Sequence, residues 1–319
     1  MNASTDHPPA SPARRLRVLV ACPPGDHSDA AYTGAAWIAR TTDTDIRVAV
    51  AFARPWPSLA AAKLQGSYDS WRDGEAAKAK GRVLAALRRA GVSAGCLNHT
   101  PVVFCDGPAA APLITQEATE FRADLILLGP EGSAKKGRFS ASTTADALLH
   151  TSPAALGLVP RKAKLSKKGV TRLTLAVTSP EEFDPETLSR ATAIAQAARL
   201  PLRIIAVTPQ GLTGPTEGDV PPQLQDAISH GWREHTLAFL DRLSDTVFDT
   251  APGIQCTTGI GAGHGFSGAL ESVSWKKGDL LVVGSTPTGA FERVFIGSVA
   301  SEILKTSPVP VLVLPAGGA

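Results

Sequence analysis

The chain has 319 residues, 43% of them hydrophobic and 19% charged, and a net charge of +3. That length holds about two domains, and so small a charge supplies no whole-chain attraction to nucleic acid or to an acidic membrane. No run approaches the ~18–20 apolar residues that span a bilayer, and the opening segment, ending Pro12-Ala13-Arg14-Arg15, lacks the apolar stretch of a signal peptide.

Residues 1–14 read as a disordered tail. Val18 to Cys22 is a short β-rich run, followed by Pro23-Pro24-Gly25 and a helical pattern that Ser28 caps and that continues through Ile38. Ile46 to Phe52 is expected as the second strand. After a loop with Trp56, a long helix is expected from Asp69 to Ala90, a third strand over Val102 to Cys105, and a helix over Pro108 to Phe121. Leu125 to Leu128 is apolar throughout, as in a central parallel strand covered on both faces. A helix near Thr143 to His150 and a strand over Ala155 to Val159 follow.

The same order then returns. Strands are expected over Leu173 to Val177, Arg203 to Val207, Ile254 to Thr258, Leu280 to Val283 and Val311 to Leu314. The first helix between them carries Leu188, Ala191, Ile194, Ala195 and Ala198 on one stripe. The others fall within Pro221 to Phe248, near Ser267 to Lys276, and over Ser298 to Thr306.

The recurrence is also visible residue by residue. Ala123-Asp124-Leu125-Ile126-Leu127-Leu128-Gly129 matches Gly278-Asp279-Leu280-Leu281-Val282-Val283-Gly284, and the separation of Gly129 from Gly284 is 155 positions. The same shift carries Arg17 to Arg172, Ala21 to Ala176, Arg138 to Arg293, Ala145 to Ala300, Leu149 to Leu304, Ser152-Pro153 to Ser307-Pro308, and Pro160 to Pro315. Matches at one shift near both ends of each half indicate a duplicated unit. The halves are residues 15–160 and 170–319, joined by a basic, exposed linker, 161–169. No stacking aromatics interleave that linker, so its lysines read as solvated chain and not as a nucleic-acid site.

Strands alternating with helices imply parallel sheets with right-handed crossovers, so the expected fold is two tandem doubly wound, five-stranded α/β domains. Ligands in such sheets bind at the carboxyl ends of strands where strand order reverses. Here those are the loops after the first and fourth strands of each half.

In the second half the latter loop starts Gly284-Ser285-Thr286-Pro287-Thr288-Gly289 and ends Gly297-Ser298-Val299-Ala300. With Ser307-Pro308-Val309-Pro310-Val311-Leu312-Val313 behind it, it resembles the universal stress protein family. In the nucleotide-binding branch of that family the fourth strand leads into Gly, two residues, Gly, nine residues, then Gly and Ser or Thr. Gly284, Gly297 and Ser298 match, and Pro287 stands at the second glycine. In the first half Gly129, Gly132 and Thr143 match, and Ser142 stands where Gly is usual. The resemblance implies an adenine nucleotide α-hydrolase-like fold and a site for ATP or AMP, with Mg. It consists of Gly284, Ser285, Gly289, Gly297, Ser298, Val299 and Thr178, with a weaker mirror site at Gly129, Gly132, Ser142 and Thr143. Glycines allow close backbone approach to phosphate, and helix N-terminal amides attract the anion. Arg138 and Arg293 would add charge. The Asp that such members carry after the first strand is replaced by Pro23 and Thr178.

Gly263-His264-Gly265-Phe266-Ser267-Gly268 fits GxGxxG but follows the third strand, and reads as a flexible helix entry. His230 and Glu234, one turn apart, read as a solvated helix face. Trp56 and Trp71 read as packing residues. Cys22, Cys96, Cys105 and Cys256 form no CxxC and no zinc spacing, and read as free thiols of a reducing compartment, which makes the cytoplasm the expected location.

Family resemblance further implies that the closing strands pair, Ala155–Val159 beside Val311–Leu314, in an intrachain pseudo-dimer that leaves room for a homodimer. The expected function is a non-catalytic stress-response protein that binds a nucleotide or partner. The alternatives are a scaffold of the same fold with empty pockets, and an adenine-nucleotide hydrolase or transferase, for which no paired carboxylates or metal-ligand set is seen.

Overall fold

The computed structural model describes residues 14–23, 29–54, 65–178, 183–208, 222–285 and 298–315, with the backbone alone at 65–66, 222–226, 228–229 and 298–299. The first half runs β1 (Leu16–Cys22), α1 (Ala30–Ala39), β2 (Thr44–Ala53), α2 (Gln65–Ala90), β3 (Leu97–Gly107), α3 (Ala110–Phe121), β4 (Leu125–Leu128), α4 (Thr143–Thr151) and β5 (Ala155–Leu158). The second runs β6 (Arg172–Val177), α5 (Pro185–Ala198), β7 (Leu202–Thr208), α6 (Pro222–Thr250), β8 (Cys256–Ala262), α7 (Gly265–Glu271), β9 (Asp279–Gly284), α8 (Ser298–Thr306) and β10 (Val311–Leu314).

These strands form one sheet, ordered β3-β2-β1-β4-β5-β10-β9-β6-β7-β8. Each half is parallel throughout, and the halves meet in a single antiparallel pair, with Leu156, Gly157 and Leu158 opposite Val313, Leu312 and Val311. The closing strands therefore pair as the sequence suggests, and the free edges fall on β3 and β8. Period-two alternation sorts β1 between two cores. Val18 and Val20 meet Trp37 of α1 and Leu87 of α2, while Leu19 and Ala21 meet Ile114 of α3 and Leu148 of α4. Both cores continue across the seam into the second half.

The repeated residues have repeated jobs. Ser152 and Ser307 are both fully buried, and each hydroxyl donates at 2.8 Å to a carbonyl two residues on, Ala154 or Val309, while accepting that residue's N–H. The Ser-Pro pair is thus a closed turn that aims the last strand of each half. Asp124 accepts the backbone N–H of Arg17 at 2.8 Å, and Asp279 accepts both ends of the Arg172 guanidinium at 2.9 and 2.7 Å.

Several elements differ from their sequence reading. The α1 cap expected at Ser28 lies outside the described residues, and Asp29 fills the N-cap position with no side-chain bond to the helix amides. β8 is shifted beyond the expected 254–258, because Ile254 N–H turns back to Ala251 and the glycines that read as loop are paired strand. A Cβ on Gly261 would lie 2.7 Å from the Ala269 carbonyl, so the bare backbone is what lets α7 sit against β8. The GxGxxG segment is the entry to α7, with the Gly263 and Gly268 backbones closely apposed.

The connector at 161–169 is also more ordered than an exposed linker. Its lysines are exposed, yet Ser166 N–H reaches Lys277 O at 2.8 Å. Immediately beyond it, Val170 N–H reaches Thr41 Oγ1 at 2.8 Å, and Gly169, at φ +81°, has no room for a Cβ beside Thr41.

Candidate functional site

In the first half, buried Gly129 follows β4 and leads into a turn that returns to α4. Ser142 is the α4 N-cap, its Oγ accepting Ala145 N–H at 3.2 Å, so α4 starts at Thr143 as predicted. The turn is braced by several backbone bonds. Glu131 N–H bonds Ser140 O at 2.8 Å, Ala134 N–H bonds Glu131 O at 3.0 Å, Gly137 N–H bonds Arg161 O at 2.7 Å, and Arg138 N–H bonds Lys135 O at 3.0 Å. Pro130 offers no N–H. Ala134 and Phe139 are buried beneath the turn, and Arg161 Nη1 clamps Ala134 O at 2.8 Å. Amides already satisfied within the protein are poor donors to an added phosphate. Gly132 is exposed, lies outside the left-handed region, and has nothing within 4 Å of an added Cβ. Neither strain nor close approach requires glycine there.

Arg138 points away from the mouth. Its Nη2 pairs with Glu271 Oε1 of α7 at 2.8 Å, and its Nη1 donates to Thr306 O at the end of α8. It joins the halves instead of supplying charge to a nucleotide.

At the ends of β1 and β2 lies a cleft of about 600 Å3, lined by Cys22, Pro23, Val50, Phe52, Trp71 and Phe104. Phe52 meets Trp71 edge-on at 5.4 Å and stacks on Phe104 at 6.0 Å. Arg89 and Asp29 pair at 3.4 Å on its exposed rim. Sequence reasoning took Trp71 for packing, yet it is 42% exposed. The signal was an aromatic at the carboxyl end of a predicted strand, Phe52. Its partners come from segments distant in sequence. Behind the cluster, Tyr68 donates to Asp106 Oδ2 at 2.7 Å, and desolvation, followed by the Asp106 carboxylate, raises the phenol to about 12.

The second half presents a different mouth. β6 and β9 are neighbours with Leu175 opposite Val282, a register that carries Thr178 and Ser285 to the same level just beyond the strand ends. Thr178 is exposed. Ser285 is 4% exposed; its N–H bonds Leu314 O at 3.0 Å, and its Oγ has no partner among the described residues. A Cβ on Gly284 would lie 2.5 Å from Thr187 Oγ1, so this glycine is required by the approach of α5. Thr187 is in turn held by Asp184, the α5 N-cap, at 3.2 Å. Ser298 and Val299 open α8, whose first amides lack intrahelical partners. Gly289, Gly297 and Arg293 lie outside the described residues.

His230 and Glu234 lie 3.3 Å apart on an exposed face, and no group of three or more metal-ligating side chains occurs among the described residues. No helix among them is long and apolar enough to cross a membrane. None of the four cysteines is in a disulfide, and burial raises the Cys105 thiol to about 11.

A doubly wound five-stranded unit, used twice and closed by an antiparallel seam, defines a tandem α/β protein. The Universal stress protein family model matches residues 15–160 and again 170–315, and the chain belongs to that family. It is 28% identical over 283 residues to universal stress proteins of Mycobacterium bovis and Mycobacterium tuberculosis, covering 87% of this chain and 92% of each relative. Among solved structures, a universal stress protein from Archaeoglobus fulgidus superposes with a TM-score of 0.60 at 16% identity, over 94% of this chain and 98% of that one. One from Pseudomonas aeruginosa gives 0.50 at 18% identity, over 94% of each. These two show the fold.

Proposed function

We propose that this tandem universal stress protein works by binding, without turnover, and that its second-half mouth takes an adenine nucleotide, ATP with its Mg ion or AMP. One observation carries the reading: Ser285 holds a buried hydroxyl without a partner among the described residues, at the level of Thr178, where the resemblance places the ligand. A buried hydroxyl left unbonded is costly, and a phosphate or ribose oxygen would satisfy it. Thr178, Ser285 and the first amides of α8 hold an anion by donation, and none of them titrates near neutral pH. The first half, with four amides of its turn bonded within the protein and its Arg138 spent on the seam, is the weaker site. Four half-buried thiols outside any disulfide agree with a reducing cytoplasm.

Pro23 and Thr178, where nucleotide-binding relatives carry Asp, favour a second reading, a scaffold with both pockets empty. Denaturing the purified protein and chromatographing the supernatant on an anion exchanger separates the two. Released ATP or AMP, or a saturable thermal shift with millimolar Mg-ATP, supports the binder. An empty supernatant together with no shift supports the scaffold, and time-dependent ADP formation would overturn the non-catalytic reading.

A further inference from the structure

The cleft at the ends of β1 and β2, about 600 Å3, has the size of a small-molecule site. One face of α2 lines it, because Trp71, Glu75, Ala79 and Arg82 recur at helical spacing. Ala79 is buried, while Trp71 stands 42% exposed towards the N-terminal end of the helix. The half-buried rings of Phe52 and Phe104 complete an aromatic wall with Trp71. An indole left to water beside a concave surface is apolar area that a flat ring would cover, and paired rings add attraction beyond that burial.

The charges of the lining select the other end of the ligand. Asp29 pairs with Arg89 at 3.4 Å, and Glu75 with Lys78 at 2.8 Å. The hydrogen bond from Lys78, with the Arg82 charge adding to it, holds the Glu75 carboxyl below its usual range. Arg82 itself has no ion pair or hydrogen bond among the described residues, and it is the one charge of the lining left without a partner. An organic cation would meet carboxylates already paired, whereas a carboxylate would receive the N–H fork of Arg82. Pro23, where nucleotide-binding relatives carry Asp, puts no negative charge in the lining to repel it. With four amides of the turn after β4 bonded within the protein, a phosphate chain has less to hold it here. Trp71 and Arg82 start about 16 Å apart along α2, and helical side chains lean towards the N-terminus, which brings Arg82 back towards the indole. That span suits a two-ring acid. We infer that the first-half cleft binds an aromatic carboxylate, its ring against Trp71 and its carboxylate accepting from Arg82. Neither residue belongs to the second-half mouth, so this site and the nucleotide reading stand or fall separately.

Isothermal titration of the full chain with naphthoate, and with its neutral amide naphthamide, tests this. The expected result is saturable binding of the acid, with the amide weaker by roughly tenfold, the worth of a charge-assisted bond. Arg82→Gln should abolish that preference by weakening the acid alone. Trp71→Ala should weaken both ligands roughly fivefold. Arg82 is exposed, so its replacement leaves the packing untouched, and the acid-to-amide ratio reads the site even where Trp71→Ala lowers stability. Ser285→Ala should leave naphthoate binding as it was, and Arg82→Gln should leave the Mg-ATP response as it was, which separates failure here from failure of the nucleotide site. No naphthoate binding at millimolar concentration overturns the inference. So do equal affinities for acid and amide, or an unchanged ratio in Arg82→Gln. Displacement of naphthoate by AMP would likewise overturn it and return this cleft to the nucleotide.

Discussion

Arg138 and Glu271, 133 positions apart, pair at 2.8 Å across the seam, tying the first half's glycine turn to α7 of the second. The pair is partly solvated, with 58% of the Glu271 side chain exposed, so the ion pair alone is worth little. The bond from Arg138 to Thr306 O is the larger contribution, since it satisfies a carbonyl at a helix C-terminus. Glu271→Ala should therefore cost under ~0.5 kcal/mol, and Arg138→Ala about 1 kcal/mol, read by urea unfolding. Mg-ATP response should be unchanged in both. A lost response in Arg138→Ala at intact stability would return this arginine to the nucleotide.

Two glycines separate packing from family pattern. A Cβ on Gly157 would collide with Leu127 Cδ2 at the centre of the seam, whereas one on Gly132 would meet open space. Gly157→Ala should destabilise by about 1–3 kcal/mol, as overpacking does. Gly132→Ala should stay within ~0.5 kcal/mol of the parent, as an ordinary surface change does. Equal denaturation midpoints for the two would contradict this.

The contrast shows what could be read in advance. Leu125–Leu128 and Val311–Leu314 were legible because buried parallel strands are apolar at every position. The duplication was legible because Ser152 and Ser307, or Asp124 and Asp279, answer the same local demand twice. Gly157 carries no such mark, since its requirement comes from a neighbouring strand. The same holds for the direction of Arg138, fixed by α7 and α8, and for the Phe52–Trp71–Phe104 cluster, assembled from three separate elements. β8 was misplaced because Gly261 is a strand residue for the sake of the helix that packs on it.

Asp279 and Asp124 occupy equivalent positions but different surroundings. The Asp279 side chain is fully buried between Arg172 and Arg203, whereas 30% of the Asp124 side chain is exposed. Removing one partner from a buried cluster strands the opposite charge. Asp279→Ala should cost about 3–5 kcal/mol. Asp124→Ala loses an exposed ion pair and one bond to the Arg17 amide, about 1 kcal/mol. Thermal unfolding of the pair gives the comparison.

Tyr68 supplies a pH dependence. Its phenol is raised from 10.0 to about 12, first by burial and then by its bond to Asp106. The fold holds the neutral form, so the stability tied to this group is fully present below pH ~10 and is lost as pH climbs towards 12. Absorbance at 295 nm, with Tyr68→Phe as reference, should show the late titration. Asp106→Asn should move it only part of the way back, because the burial remains. A return to the ordinary value would make the carboxylate the main cause.

Ser285→Ala sets two effects against each other. In the free protein it removes a buried hydroxyl with no partner, so stability should hold or rise by about 0.5–1 kcal/mol. With nucleotide bound it removes a donor, so the stabilisation by Mg-ATP should shrink, and affinity should fall roughly fivefold to tenfold. Thr178→Val, at an exposed position, should leave the free protein unchanged and weaken binding by a smaller factor. Opposite signs in one variant cannot come from general destabilisation, which lowers both quantities together. A Ser285→Ala protein that gains stability and keeps its full Mg-ATP response would place the nucleotide elsewhere, and one that merely unfolds earlier would show that the hydroxyl has a partner after all.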